Sequence, residues 1–176
     1  RQRQMCIRDS AYGTPTDSSP VFLEIKKKYD GVVYKRRVST DFAQAMRFLT
    51  EGIPPESGDY VARQVTAEMT HMIRRDGLIP RAAVFYDRRA FHGADDPELR
   101  LTLDGNIRYR LGDLDLRNGT DGDTIPGQPF RIMEIKSASS IPLWLAGTLS
   151  ELGIHPGSFS KYGSVYKQRF QDLCTT

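Results

Sequence analysis

Cysteine, tryptophan and histidine are scarce in this chain of 176 residues, and so are long apolar runs. The two cysteines, Cys6 and Cys174, stand at opposite ends, which excludes a disulfide framework and fits a reducing, cytoplasmic setting. The longest apolar stretches, such as Ile141 to Leu145, fall far short of the roughly 20 residues a membrane span requires. His71, His92 and His155 show no zinc-ligand spacing. No glycine-rich loop ends in Gly-Lys-Ser/Thr, so a P-loop is excluded. Charge of one sign is also in short supply: 25 Lys+Arg against 22 Asp+Glu leave a net charge of +3. That is a weak footprint for nucleic acid, although Lys26-Lys27-Lys28 and Lys35-Arg36-Arg37 are interleaved with Tyr29 and Tyr34. What remains is 39% hydrophobic and 27% charged, enough apolar content for a modest core, and the length predicts one domain.

Residues 1–10, Arg-Gln-Arg-Gln-Met-Cys-Ile-Arg-Asp-Ser, show neither helical nor strand periodicity and lack the apolar region of a signal peptide. The string is similar to translated adapter read-through from assembled environmental DNA. The expectation is a non-native segment over 1–10, with native sequence from about Ala11 to residue 170 and a short tail over 171–176. A flexible natural N-terminus is the alternative.

Val21 to Ser39 reads as a β-hairpin turning at Asp30-Gly31, a favoured two-residue turn. Ser39-Thr40-Asp41 offers a helix N-cap, and Phe42, Ala45, Met46 and Leu49 recur at helical spacing until Gly52 and Pro54-Pro55. Ser57 to Arg75 predicts a second amphipathic helix, with Val61, Val65, Met69, Met72 and Ile73 on one side, closing at Gly77. Strands are predicted over Ala82 to Phe91, over Leu99 to Arg110 with a turn at Asp104-Gly105, and over Phe130 to Lys136. A last helix begins at Ile141-Pro142, with Trp144 as its core anchor, and the chain beyond Lys161 is weakly patterned. Strands and helices do not alternate as βαβ units would, so the fold class is α+β with an antiparallel sheet.

Each strand carries one apolar and one ionic face. Glu24, Lys26 and Lys28 share a face, as do Lys35 with Arg37, Arg100 with Thr102 and Asp104, and Glu134 with Lys136. Such faces form either a solvated surface or the interior of a closed barrel. A barrel lumen crowded with cations needs an anion to occupy it, and a polyphosphate group is the obvious guest. Glu24 and Glu134 could then hold the divalent cation that accompanies phosphate, or simply pair with neighbouring lysines.

Five blocks in order, Val21-Phe22-Leu23-Glu24-Ile25-Lys26-Lys27-Lys28 with Val33-Tyr34-Lys35-Arg36-Arg37, then Tyr86-Asp87-Arg88-Arg89-Ala90-Phe91, Leu99-Arg100-Leu101-Thr102-Leu103-Asp104, Met133-Glu134-Ile135-Lys136 and Ser158-Phe159-Ser160-Lys161-Tyr162, resemble the VTC (vacuolar transporter chaperone) domain. The resemblance spans Tyr12 to about Lys167. It implies a triphosphate tunnel, an eight-stranded antiparallel barrel with flanking helices related to the CYTH phosphohydrolases. The basic lumen of that fold binds nucleoside triphosphate and a divalent metal, Mn²⁺ or Mg²⁺, and eukaryotic members make inorganic polyphosphate from ATP there.

Carried over, Lys26, Arg88, Arg100 and Lys161 match positions that contact phosphate, and Glu134 matches the metal-binding glutamate. Strand parity adds Lys28, Lys35, Arg37 and Lys136 as substrate-binding residues and Glu24 as a second metal ligand. Ser158 stands where the eukaryotic polymerases tend to place a further lysine. The resemblance implies further strands before the Tyr12 point, so the expectation is an N-terminally truncated, incomplete barrel of about five or six strands with unpaired edges and poor folding, inactive as a fragment although the complete domain is an enzyme. The activity implied is polyphosphate synthesis. Its alternatives are a triphosphatase of the same fold and a non-catalytic module that binds polyphosphate or nucleotide.

Overall fold

The Asp30 turn and the alternating sequence on either side of it build the predicted hairpin. In the computed structural model, which describes residues 4–30, 32–125 and 131–174, strand β2 (Pro20–Tyr29) pairs antiparallel with β3 (Val32–Asp41). The side chains of residues 4, 5, 28, 29 and 169–174 also lie outside the description. Asp30 takes the left-handed conformation, φ 51°, as a two-residue hairpin turn of this type requires. Gly31 falls outside the described residues.

Residues 4–10 lack strand periodicity in sequence and are nonetheless a strand. Gln4–Ser10 forms strand β1, which pairs antiparallel with β2 from Gln4↔Lys28 to Ser10↔Phe22. The physical reason is the open edge of β2, whose backbone donors and acceptors seek a partner strand. Ile7 opposite Ile25 adds an apolar contact on the core side.

Two compact units divide the chain: Arg1–Arg81 with Asp115–Gly119, and Ala82–Leu114 with Thr120–Thr176. In the first, the sheet β1-β2-β3 buries Val21, Leu23, Ile25 and Val38 against two helices. Helix α1 (Phe42–Glu51) is capped by Asp41, whose carboxylate accepts from the Gln44 amide, and stops at Gly52 with φ 74°. It buries Phe42, Ala45 and Phe48. Helix α2 (Tyr60–Asp76) is capped by Asp59, ends at Gly77 and buries Val65, Thr66, Met69 and Met72. Val61, predicted for the buried stripe, is exposed, and Thr66 takes a buried place by donating its hydroxyl to the carbonyls of Ala62 and Arg63.

In the second unit, β5 (Arg100–Arg110) pairs with β4 (Ala83–His92) along one edge and with β6 (Asp123–Thr124) and β7 (Ile132–Lys136) along the other. The predicted turn at Asp104-Gly105 does not form. β5 runs straight through, and the left-handed preference of that stretch is spent one residue later on a β-bulge: Asn106 has φ 49°, and the register jumps from Asp87↔Gly105 to Phe85↔Arg108. The Asn106 amide donates to the Asp87 carboxylate at 2.5 Å. Beside it, the exposed Arg131 side chain lies over Gly105, where an added Cβ would lie 1.8 Å from Nη1 and the arginine would have to swing aside.

The extra residue turns the end of β5 over. Before the bulge, Arg100, Thr102 and Asp104 share the face of Arg88. Beyond it, Ile107 and Tyr109 take that face, with Val84 of β4 directly opposite Tyr109. Ile107, Tyr109 and Ile125 form a small core there with Val165 of helix α4 (Lys161–Cys174), a helix that the weakly patterned C-terminal sequence did not announce. Helix α3 (Leu143–Glu151) buries Leu145 and leaves Trp144 two-thirds exposed, so Trp144 is not a core anchor.

Both sheets are antiparallel and the class is α+β, as predicted, but among the described residues neither sheet closes into a barrel. Among the described residues β1 and β3 each have one strand neighbour in their sheet. Among the described residues no helix is long and apolar enough to cross a membrane.

Candidate functional site

Register places the ionic side chains of the second unit together. Arg88 lies opposite Asp104, Thr102 opposite Glu134, and Arg100 opposite both His92 and Lys136, so these residues line one face of one sheet. At its centre is Asp104, only 2% exposed. Arg88 embraces it in a bidentate pair, Nε to Oδ1 at 2.6 Å and Nη2 to Oδ2 at 2.7 Å. Lys161 Nζ donates to Oδ2 at 2.5 Å. Beneath both cations lies the Tyr86 ring, 5.2 Å from the Arg88 guanidinium carbon and 4.3 Å from Lys161 Nζ, a geometry in which the ring face attracts positive charge.

Helix α4 delivers Lys161 to this point. The Ser160 hydroxyl accepts from the Gly163 amide and the Ser160 carbonyl from the Ser164 amide, so the helix opens at Lys161. One turn on, Val165 is fully buried in the small core. Burial pushes the Asp104 carboxyl up, but the hydrogen bonds and charges of Arg88 and Lys161 outweigh it and hold the group below the usual carboxylate range. The hydrogen bonds to Asp104 in turn hold the Arg88 guanidinium firmly protonated.

Around this cluster the other predicted residues are looser. Glu134 is half exposed, with Lys136 Nζ 3.3 Å from Oε1. Arg100 is exposed and carries no ion pair among the described residues. The hydroxyl of Thr102 is buried without a hydrogen-bond partner among the described residues, which makes it a donor or acceptor in waiting.

In the first unit, Lys26, Lys35 and Arg37 share a sheet face with Glu24 and Arg8. Glu24 is buried, and both its oxygens are engaged: Arg8 donates to Oε2, with Nε at 3.0 Å, and Lys35 pairs with Oε1. Burial raises its pKa, but Lys35 and Arg8 outweigh that and hold it below the ordinary value. Arg37 lies over the Phe22 ring at 4.7 Å. Lys26 is exposed without an ion pair among the described residues. The side chain of Lys28 lies outside the described residues. On the opposite face Lys27 and Arg36 both pair with Glu68 of α2, joining sheet to helix.

The structure therefore brings Arg88 and Lys161 into contact with one carboxylate and sets Arg100, Glu134 and Lys136 on the same face. Lys26, Lys35, Arg37 and Glu24 share a face of the other unit. Sequence reasoning missed two charged residues, Asp104 as the hub of the pair and Arg8 as a partner of Glu24. Asp104 was visible as an acid in phase with Arg100 and Thr102, but the Asp-Gly dipeptide invited a turn.

Among the described residues no three His, Cys, Asp or Glu side chains gather into a metal cage. Asp104 and Glu24 spend their oxygens on cations, which leaves Glu134 as the accessible carboxylate of the Arg88 face. That donor set suits a hard divalent ion whose remaining ligands are water and phosphate oxygens.

A family model described as the VTC domain matches residues 1–170. No curated protein matches the chain.

Proposed function

The chain belongs to the VTC domain family, and from that premise we propose that its Arg88 face binds the phosphates of ATP and of inorganic polyphosphate, and that it transfers the γ-phosphoryl group of ATP to the end of a polyphosphate chain. The observation that carries this is the pair Arg88 and Lys161, held side by side on Asp104 with N–H donors to spare. Arg100 and Lys136 on the same face extend the positive row along which a polyanion would lie. The triphosphate tunnel, in a CYTH-like fold, belongs to this proposal, because each unit by itself carries a sheet face of the ionic kind a tunnel wall needs. Lys26, Lys35 and Arg37 are the phosphate ligands proposed for the first unit. A cytoplasmic setting supplies the ATP.

Transfer proceeds in line: a terminal phosphate oxygen of the acceptor attacks the γ-phosphorus, the bond to the β-phosphate bridging oxygen breaks, and ADP leaves. A loose transition state of this kind asks the protein for positioning and charge stabilisation rather than covalent chemistry. Arg88 and Lys161 fix the non-bridging oxygens. The divalent ion, when bound, neutralises phosphate charge, and Glu134 is the residue that would hold it.

Incubation of the full chain with ATP and Mn²⁺ or Mg²⁺, with products resolved on a polyacrylamide gel, tests the reading. The expected result is a ladder of polyphosphate that disappears in Glu134→Ala and Lys161→Ala. Orthophosphate alone would assign a triphosphatase. Binding without any product, in a chain with Ser158 where the polymerases tend to place a lysine, would leave a polyphosphate-binding module. A folded protein that binds neither ATP nor polyphosphate would refute it.

A further inference from the structure

We propose that Asp104 is the positioning residue of the Arg88 face, acting on phosphate through Arg88 and Lys161 rather than by touching it. The inference rests on the phosphate-binding function proposed above. Three observations point to it.

First, a carboxylate this deeply buried is costly unless fully matched, and Asp104 is matched by three charge-assisted bonds from residues 16 and 57 positions away in sequence. Second, the pairing uses up only part of each cation. Arg88 gives Nε and one hydrogen of Nη2, so Nη1 remains, and Lys161 gives one of its three N–H groups. Both side chains keep an open side, with about a third of the Arg88 side chain and a fifth of that of Lys161 exposed. Third, fastening α4 does not require the cluster, because Val165, one turn further on, is already fully buried in the core. A buried ion pair is moreover a weak source of stability beside an apolar replacement. What the cluster does supply is a fixed spacing between two cations, with the Tyr86 ring backing both.

Positioning and charge balance predict opposite signs. If Asp104 only tempers the positive field, Asp104→Asn removes a negative charge beside the ligand and tightens polyanion binding. If it positions the pair, the same change releases Arg88 and Lys161 and weakens binding, by about tenfold or more, as misplacement of binding groups by an ångström or so does.

The test uses the full chain and inorganic tripolyphosphate, with affinity read by calorimetry. Asp104→Asn is expected to weaken binding about tenfold in the wild-type background and to cost nothing further in the Arg88→Ala/Lys161→Ala background. A second readout needs no ligand: an amine-reactive ester followed by mass spectrometry should modify Lys161 several-fold faster in Asp104→Asn while Lys26, Lys35 and Lys136 keep their rates. General loosening of the fold would speed all of them. Unchanged or tighter tripolyphosphate binding, or an equal loss in the background lacking both cations, would overturn the proposal. Should Asp104→Asn fail to fold, Asp104→Glu keeps the charge and displaces the pair by one methylene. Lys161 then stays slow while affinity falls, and unchanged affinity overturns the proposal. Failure of the wild type to bind tripolyphosphate would sink the phosphate-binding function itself. In that case a selective rise in Lys161 labelling would still establish the tether, and its absence would exclude it.

Discussion

Replacing Glu24 by Gln separates two roles that the same carboxylate could fill, metal ligand or buried counter-ion. Glu24 is 4% exposed, whereas the side chains of its partners Arg8 and Lys35 are 58% and 48% exposed. Hydrogen bonds between charged groups contribute about 1.5–3 kcal/mol when both partners are desolvated. Here each cation returns half to water when released, and an exposed pair contributes only about 0.2–1 kcal/mol. Gln also keeps the shape and one acceptor, and it removes the penalty of burying a charge. The net cost of Glu24→Gln is therefore about 1–2 kcal/mol, smaller in high salt. Urea denaturation of the full chain in EDTA, followed by circular dichroism, measures it. No loss of stability in EDTA, together with a Mn²⁺-dependent stabilisation of the wild type that vanishes in the variant, would refute the counter-ion reasoning and make Glu24 a metal ligand.

Phe48→Ala leaves a cavity beneath the first sheet, where Phe48 is fully buried, and should cost about 3–5 kcal/mol in the same urea assay. Removing the α1 cap by Asp41→Ala should cost about 1 kcal/mol, and Asp41→Asn should recover most of it. Acid acts on Glu24 and Asp104 together. Both have folded pKa values below their ordinary ones of 4.5 and 3.8, so their contribution is complete above those values and is lost as pH falls through the folded pKa. The urea midpoint should hold from pH 7 to about 5 and then decline. A midpoint that rises on acidification would contradict the pairing.

Local signals made most of the first unit legible. Asp30 turned the hairpin, Asp41 and Gly52 bounded α1, and Gly77 ended α2, because caps and left-handed turns act within a few residues. Arg88 and Lys161 could be named from the motifs they stand in. Their common partner could not, because Asp104-Gly105 reads locally as a turn and only pairing on both edges of β5 keeps the strand straight. β1 was illegible for the same reason, since Gln4–Ser10 is a strand by virtue of the β2 edge. Trp144 shows the limit of reading hydrophobicity as burial: Trp144 and Leu143 are exposed while Leu145 between Trp144 and Ala146 is buried.

The bulge at Asn106 gives chain length at that point an unusual meaning. Leu99, Leu101, Leu103, Ile107 and Tyr109 all occupy odd positions, so the sequence carries no mark of the half-rotation between Leu103 and Ile107. Deleting one residue there would not shorten a loop. It would remove the bulge and leave Ile107 and Tyr109 on the face they now hold, because 104, 105, 107, 108 and 109 then alternate without interruption against Arg88 to Val84. Substitutions elsewhere along β5 alter one contact at a time, whereas flattening the bulge with every residue kept would put Ile107 and Tyr109 on the side of Leu103 and exchange the two faces of everything that follows, so this strand is open to loss of Asn106 and closed to loss of its left-handed turn.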